Sequence, residues 1–136
     1  MRTLLIITAL VEGMTGLLFL LLPSFMVSVL FNVSLDTQAG LIVGRLAGSA
    51  LLSLSFACWI ARNDVHSHAA IGIVWALLLY NVISVILLSY VYIGLDFCGI
   101  GLWPAVILHL IFGLWCILCL KHANKLTGIK ETIERK

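Results

Sequence analysis

Four apolar stretches, each close to the roughly 20 residues an α-helix needs to cross about 30 Å of hydrocarbon, take up most of this chain. They run from about Thr3 to Leu22, Ala39 to Ala61, Ala69 to Gly94 and Leu102 to Leu120. In lipid every backbone N–H and C=O must find a partner within the protein, so segments of this kind fold as helices. The composition agrees, with 62% hydrophobic and 10% charged residues and a mean hydropathy of +1.18, whereas a soluble domain carries about a quarter charged residues. The expected fold is all-α: one integral membrane domain over 1–136, a four-transmembrane-helix bundle with a basic tail over 121–136.

Met1-Arg2 followed by an apolar run has the start of a secretory signal, but Glu12 interrupts the run and no small-x-small cleavage site follows cleanly, so the segment reads as a retained helix. Pro23 ends it. The next residues, Ser24 to Phe31, are apolar but too few to cross, and a proline suits a first helical position. They predict a short helix lying at the interface before the Asn32 to Gln38 loop. With four spans, seven of the eight Lys and Arg residues fall on one side: Arg2, Arg62, Lys121, Lys125, Lys130, Arg135 and Lys136. The opposite loops carry only Asp36 and Asp96. The positive-inside rule then places both termini in the cytoplasm. The basic tail suits anionic headgroups, and with no basic patch elsewhere nucleic acid is not an expected partner.

The eighth basic residue is Arg45, inside the second span, and Glu12 lies inside the first. A charge at mid-bilayer costs roughly 2.5 to 3.5 kcal/mol on insertion scales, so such residues mark buried polar sites and face partners. Counting about 1.5 Å per residue from the cytoplasmic boundary puts Glu12 about 14 Å deep, Tyr80, Asn81 and His109 about 17 Å and Arg45 about 24 Å. Arg45 has a stem long enough to reach down toward Glu12. The sequence thus predicts one polar layer, Glu12, Arg45, Tyr80, Asn81 and His109, drawn from all four spans. Gly40, Gly44 and Gly48 recur every four residues on one face of the second span, where the first or third span can dock closely, or a second copy of the chain.

Several chemistries fail on ligand count. A haem between helices needs two facing axial ligands, and His109 is the lone histidine within a span. His66 and His68 make two donors in a surface loop, short of a metal site. Cys116 and Cys119 have redox spacing but sit on an apolar helix end, and Cys98 is alone on the outer side, so core cysteines are expected rather than a thiol centre or an external disulfide. No phosphate loop, nucleophile elbow or helical zinc motif occurs.

The strings Glu12-Gly-Met-Thr-Gly-Leu17 with Pro23, Gly44-Arg-Leu-Ala-Gly48 followed by Ala50-Leu-Leu-Ser53, Cys58-Trp-Ile-Ala-Arg62, Tyr80-Asn81, and Leu102-Trp-Pro-Ala105 with His109 resemble a group of small four-helix bacterial membrane proteins, broadly DoxX-like. The resemblance spans about Glu12 to Leu120 and implies a location in the bacterial inner membrane. DoxX-like proteins are linked to quinone or thiol redox systems as accessory proteins.

The leading expectation is therefore a non-catalytic accessory or assembly subunit of a larger membrane complex, its layer held by a Glu12–Arg45 ion pair and requiring no cofactor. The alternative is a membrane-embedded binding protein in which Arg45 and His109 hold the carbonyl or phosphate oxygens of a quinone, isoprenoid or other lipid. A third reading is a small enzyme or proton relay using Glu12 and His109.

Overall fold

The computed structural model describes the backbone of residues 1–134 and the side chains of residues 1–123. Five helices follow one another: α1 (Arg2–Leu21), α2 (Pro23–Phe31), α3 (Gln38–Ala61), α4 (His68–Leu95) and α5 (Leu102–Glu134). Among the described residues there is no strand. Four of the helices are long and apolar enough to cross a membrane: α1, α3, α4 and α5 over Leu102–Ala123. The chain is thus an all-α, four-transmembrane-helix bundle, with the short α2 directly after the first span. Its span limits differ from the sequence expectation by a residue or so except at the last, where the helix continues past Leu120 to Glu134. Nothing between Lys121 and Glu134 is a proline, so the backbone has no reason to leave the helix there. The expected role of the tail's basic side chains beyond Ala123 lies outside the described residues.

Local chemistry sets the breaks. Pro23 at the first position of α2 cannot continue the hydrogen-bonding of α1, and the chain turns at Leu22. Thr37 and Ser67 cap α3 and α4 by accepting the N–H groups of Gly40 and Ala70, each at 3.1 Å. Asn32 and Asp96 close α2 and α4 in the left-handed conformation, which short polar side chains tolerate.

The spans pair as two antiparallel hairpins in space. In the first, α1 lies on α3 along its whole length: Arg2 reaches Asn63 at one end, Ser55 donates to the Ala9 carbonyl at 2.6 Å, Gly16 meets Gly48, and Pro23 meets Gly44 at the other end. A Cβ on Gly48 would stand 2.6 Å from the Leu20 nitrogen and 2.7 Å from the Gly16 oxygen, so the two backbones touch there. Of the three spaced glycines, Gly44 and Gly48 face α1 and its continuation, whereas Gly40 faces Leu35 and Thr37 in the preceding loop. In the second hairpin α4 lies on α5, with Tyr92 and Trp103 edge to face at 5.0 Å and His109 against Asn81.

The hairpins meet mainly at the end that carries Arg2, Arg62 and Lys121. There Leu4, Leu5, Ala9, Cys58, Ala61, Ala70, Val74, Leu77, Cys116 and Leu120 form one core shared by all four spans. Cys58 and Cys116 are buried free thiols within it. At the far end the loop before α5 hangs from α2: Gly99 and Gly101 donate to the Leu30 and Val29 carbonyls at 3.0 and 2.9 Å. Gly99 sits so close to that backbone that no side chain fits. These bonds satisfy carbonyls that the end of α2 would otherwise leave open.

Candidate functional site

Between the closed core and the α2 roof the hairpins part around a partly open cavity of about 790 Å³. This is far more than a bridging solvent molecule needs and within the range of small-molecule sites. Its walls are apolar: Phe19 from α1, Met26, Val29 and Phe31 from α2, Leu87, Leu88 and Val91 from α4, Leu108 from α5. On α3 it is lined by Ala47, Ala50 and Leu51, and the two alanines leave the space that larger side chains would fill. Its polar lining residues, Glu12 and Thr15 of α1, Tyr80 and Ser84 of α4 and His109 of α5, lie nearer the core end of their helices than the apolar Phe19, Leu87 and Ala105.

All of these groups but Thr15 interact with a neighbour. The α1 positions 8, 12 and 15 share a face at helical spacing, which turns Glu12 into the bundle, 3% exposed. The Tyr80 hydroxyl interacts with the Glu12 carboxyl, and Ser84, one turn further along α4, interacts with the same hydroxyl. Tyr80 also stands edge-on to His109, ring centroids 5.3 Å apart. Asn81 is buried behind them, outside the cavity lining. Its Nδ2 donates to the Leu77 carbonyl at 2.7 Å and its Oδ1 meets His109 Nδ1 at 2.8 Å. Gly113, one turn past His109, faces the Asn81 side chain, where a Cβ would stand in ordinary contact at 3.7 Å from the Asn81 Cβ. One turn below Glu12, the Thr8 hydroxyl oxygen is buried with no hydrogen-bond partner.

Four of the five expected layer residues, Glu12, Tyr80, Asn81 and His109, therefore come together. Arg45 does not. It is exposed, it is absent from the cavity lining, and no described residue pairs with it. The expected Glu12–Arg45 ion pair is corrected: at about 100° per residue, Arg45 lies about 120° to 160° around α3 from positions 47, 50 and 51, which line the cavity. The exposed Ser49 and Ser53 bond to their own helix, to the Leu46 and Ser49 carbonyls at 2.8 and 2.9 Å. Gly44 and Gly48 dictate this rotation, because turning them onto α1 carries Arg45 outward.

Sequence reasoning missed the alanine wall and the α2 roof. Ala47 and Ala50, two small residues a turn apart beside the glycine stripe, are the signal for the first. The second has no local signal, because the bonds of Gly99 and Gly101 to the α2 carbonyls join two segments remote in sequence. Among the described residues no cluster of three or more His, Cys, Asp or Glu side chains is placed to hold a metal ion. Comparison with protein-family models, curated proteins and solved structures finds no match to this chain.

Proposed function

We propose that this integral membrane protein binds an amphipathic molecule drawn from the bilayer, with its polar head against Glu12, Thr15, Tyr80, Ser84 and His109 and its tail along the apolar walls. The observation that carries the reading is the cavity itself. An apolar space of about 790 Å³ whose polar lining residues lie toward the core end of their helices suits a quinone, an isoprenoid or another small-headed lipid in both size and polarity. Glu12 and His109 already have protein partners in Tyr80 and Asn81, which fits groups positioned to recognise a head more simply than groups exchanging protons. In this proposal the chain is a DoxX-like protein of the bacterial inner membrane, with Arg2, Arg62 and Lys121 marking the cytoplasmic face. The test is purification in a mild detergent followed by organic extraction and mass spectrometry. A neutral small-headed lipid near one per chain, lost when Ala50→Phe fills the cavity, supports the reading. Extracts that match bulk lipid and are unchanged by Ala50→Phe count against it.

A second reading, an accessory subunit of a larger membrane complex, is supported by Arg45. A guanidinium with no partner among the described residues, on the outer face of a spanning helix, suits a carboxylate on a neighbouring protein. A stoichiometric membrane partner that is lost on Arg45→Leu supports this. If Arg45 instead reaches headgroup phosphates, Arg45→Leu leaves the composition of the purified sample unchanged.

A further inference from the structure

We infer that the head of the bound molecule is an uncharged hydrogen-bond donor, an alcohol or phenol hydroxyl, and that His109 Nε2 accepts from it; this rests on the binding reading above. The chain of constraint begins at Leu77, whose carbonyl oxygen can only accept. The Asn81 atom 2.7 Å from it must be the amide NH2, which leaves the amide oxygen, also an acceptor, facing His109 Nδ1 at 2.8 Å. His109 Nδ1 therefore carries the ring hydrogen. A neutral imidazole has one N–H, so Nε2 is left with a bare lone pair on a ring that lines the cavity, and no described residue donates to it. The groups in contact with the ring, Asn81 and the Tyr80 ring, are both uncharged, and the Glu12 carboxyl that shares the cavity interacts with the Tyr80 hydroxyl rather than with the imidazole.

The rest of the polar lining selects in the same direction. No Lys or Arg lines the cavity, and Arg45, expected from sequence to hold an anion there, is on the outer face of α3. A phosphate or carboxylate head would lie beside the Glu12 carboxyl without a cation in a low-dielectric site. A ketone or ester head only accepts and would leave His109 Nε2 unpaired. Thr15 serves as donor or acceptor and does not discriminate. A hydroxyl meets both demands, carrying no charge and donating to Nε2, and a site built around a hydrogen bond to a substrate O–H rejects analogues that lack it. Hydroquinones and polyprenols share this chemistry, and matched probe pairs separate them.

The experiment uses the full chain in detergent micelles and isothermal titration with 4-decylphenol, its methyl ether 4-decylanisole, decyl phosphate, and the pair geranylgeraniol and its methyl ether. At least one free hydroxyl compound binds about tenfold or more tighter than its ether, as one well-formed hydrogen bond allows. The pair with the larger ratio names the source, phenol or prenol. Decyl phosphate binds no tighter than the ethers, and His109→Phe brings the hydroxyl compounds to the level of their ethers. Equal affinity within both pairs overturns the hydroxyl assignment while leaving a binding site. Tightest binding by decyl phosphate overturns the uncharged head. Failure of every probe to bind tells against the binding reading itself. Should His109→Phe fail to fold, the nitrogen-15 spectrum of wild-type histidine decides: Nδ1 protonated with Nε2 bare supports the assignment, and the opposite tautomer overturns it.

Discussion

Replacing Gly48 by alanine adds one methyl group at the place where α1 and α3 touch, and replacing Gly72 by alanine adds the same group to α4 where nothing lies within 4 Å. Both substitutions gain the same helix propensity, about 1 kcal/mol in favour of alanine. Their difference therefore isolates the packing term. At Gly48 the new carbon meets the Leu20 nitrogen at 2.6 Å, the Gly16 oxygen at 2.7 Å and the Phe19 carbonyl carbon at 3.0 Å, all backbone atoms that cannot rotate away. Reaching an ordinary contact of 3.4 Å requires the helices to separate by about 0.8 Å. A gap of that size forfeits a quarter to a half of each contact's attraction along the interface, and overpacking of this kind costs about 1 to 3 kcal/mol. Gly72→Ala should thus stabilise by about 1 kcal/mol and Gly48→Ala should fall about 1 to 3 kcal/mol below it. Reversible unfolding in mixed micelles, titrated with a denaturing detergent and followed by helical circular dichroism, measures both. If Gly48→Ala proves as stable as Gly72→Ala, the close approach of α1 and α3 at Gly16 and Gly48 is refuted, and with it the rotation of α3 that turns Arg45 outward.

Three further outcomes concern the polar residues within the spans. A double-mutant cycle between Glu12→Gln and Arg45→Gln should give a coupling energy below about 0.5 kcal/mol, the additivity of distant sites, whereas a buried ion pair would show several times that. Asn81→Leu should destabilise by about 1 to 3 kcal/mol, because the His109 Nδ1 hydrogen loses its partner while the Leu77 carbonyl keeps only its helical bond from the backbone N–H of residue 81; a change within about 0.5 kcal/mol would mean that the Asn81 to His109 bond is not formed. Thr8→Val, which swaps a buried hydroxyl oxygen without a partner for a methyl of the same shape, should be neutral or stabilising by up to about 1 kcal/mol in the same unfolding assay. A loss of more than 1 kcal/mol there would show the hydroxyl to be bonded.

The spans and the short helix after Pro23 were legible because they depend on length and local chemistry. Twenty or so apolar residues must form a helix in lipid, and a proline must break one. Depth was legible for the same reason, since residues counted along a helix rise a constant distance. That is why Glu12, Tyr80, Asn81 and His109 were placed in one layer and do come together. The α2 roof was less so: that Gly99 and Gly101 bond to the Val29 and Leu30 carbonyls depends on where two remote segments end up, and neither segment's own pattern states it.

Arg45 marks the boundary between the two kinds of knowledge. From the sequence alone come four membrane-length helices, a polar layer at a common depth and a stripe of small residues on the second span. Which way each helix turns about its axis was decided only in the tertiary structure. In a soluble helix the apolar stripe points to the core and reveals the rotation. In these spans the surface facing lipid is as apolar as the surface facing protein, so Leu46 and Phe56 on the outside of α3 look no different from Leu52 packed against α1. Backbone contact between Gly16 and Gly48 supplies the missing information. It turns Ala47 and Ala50 to the cavity, leaves Glu12 to Tyr80, and sends Arg45 away from the site that its long stem was expected to reach.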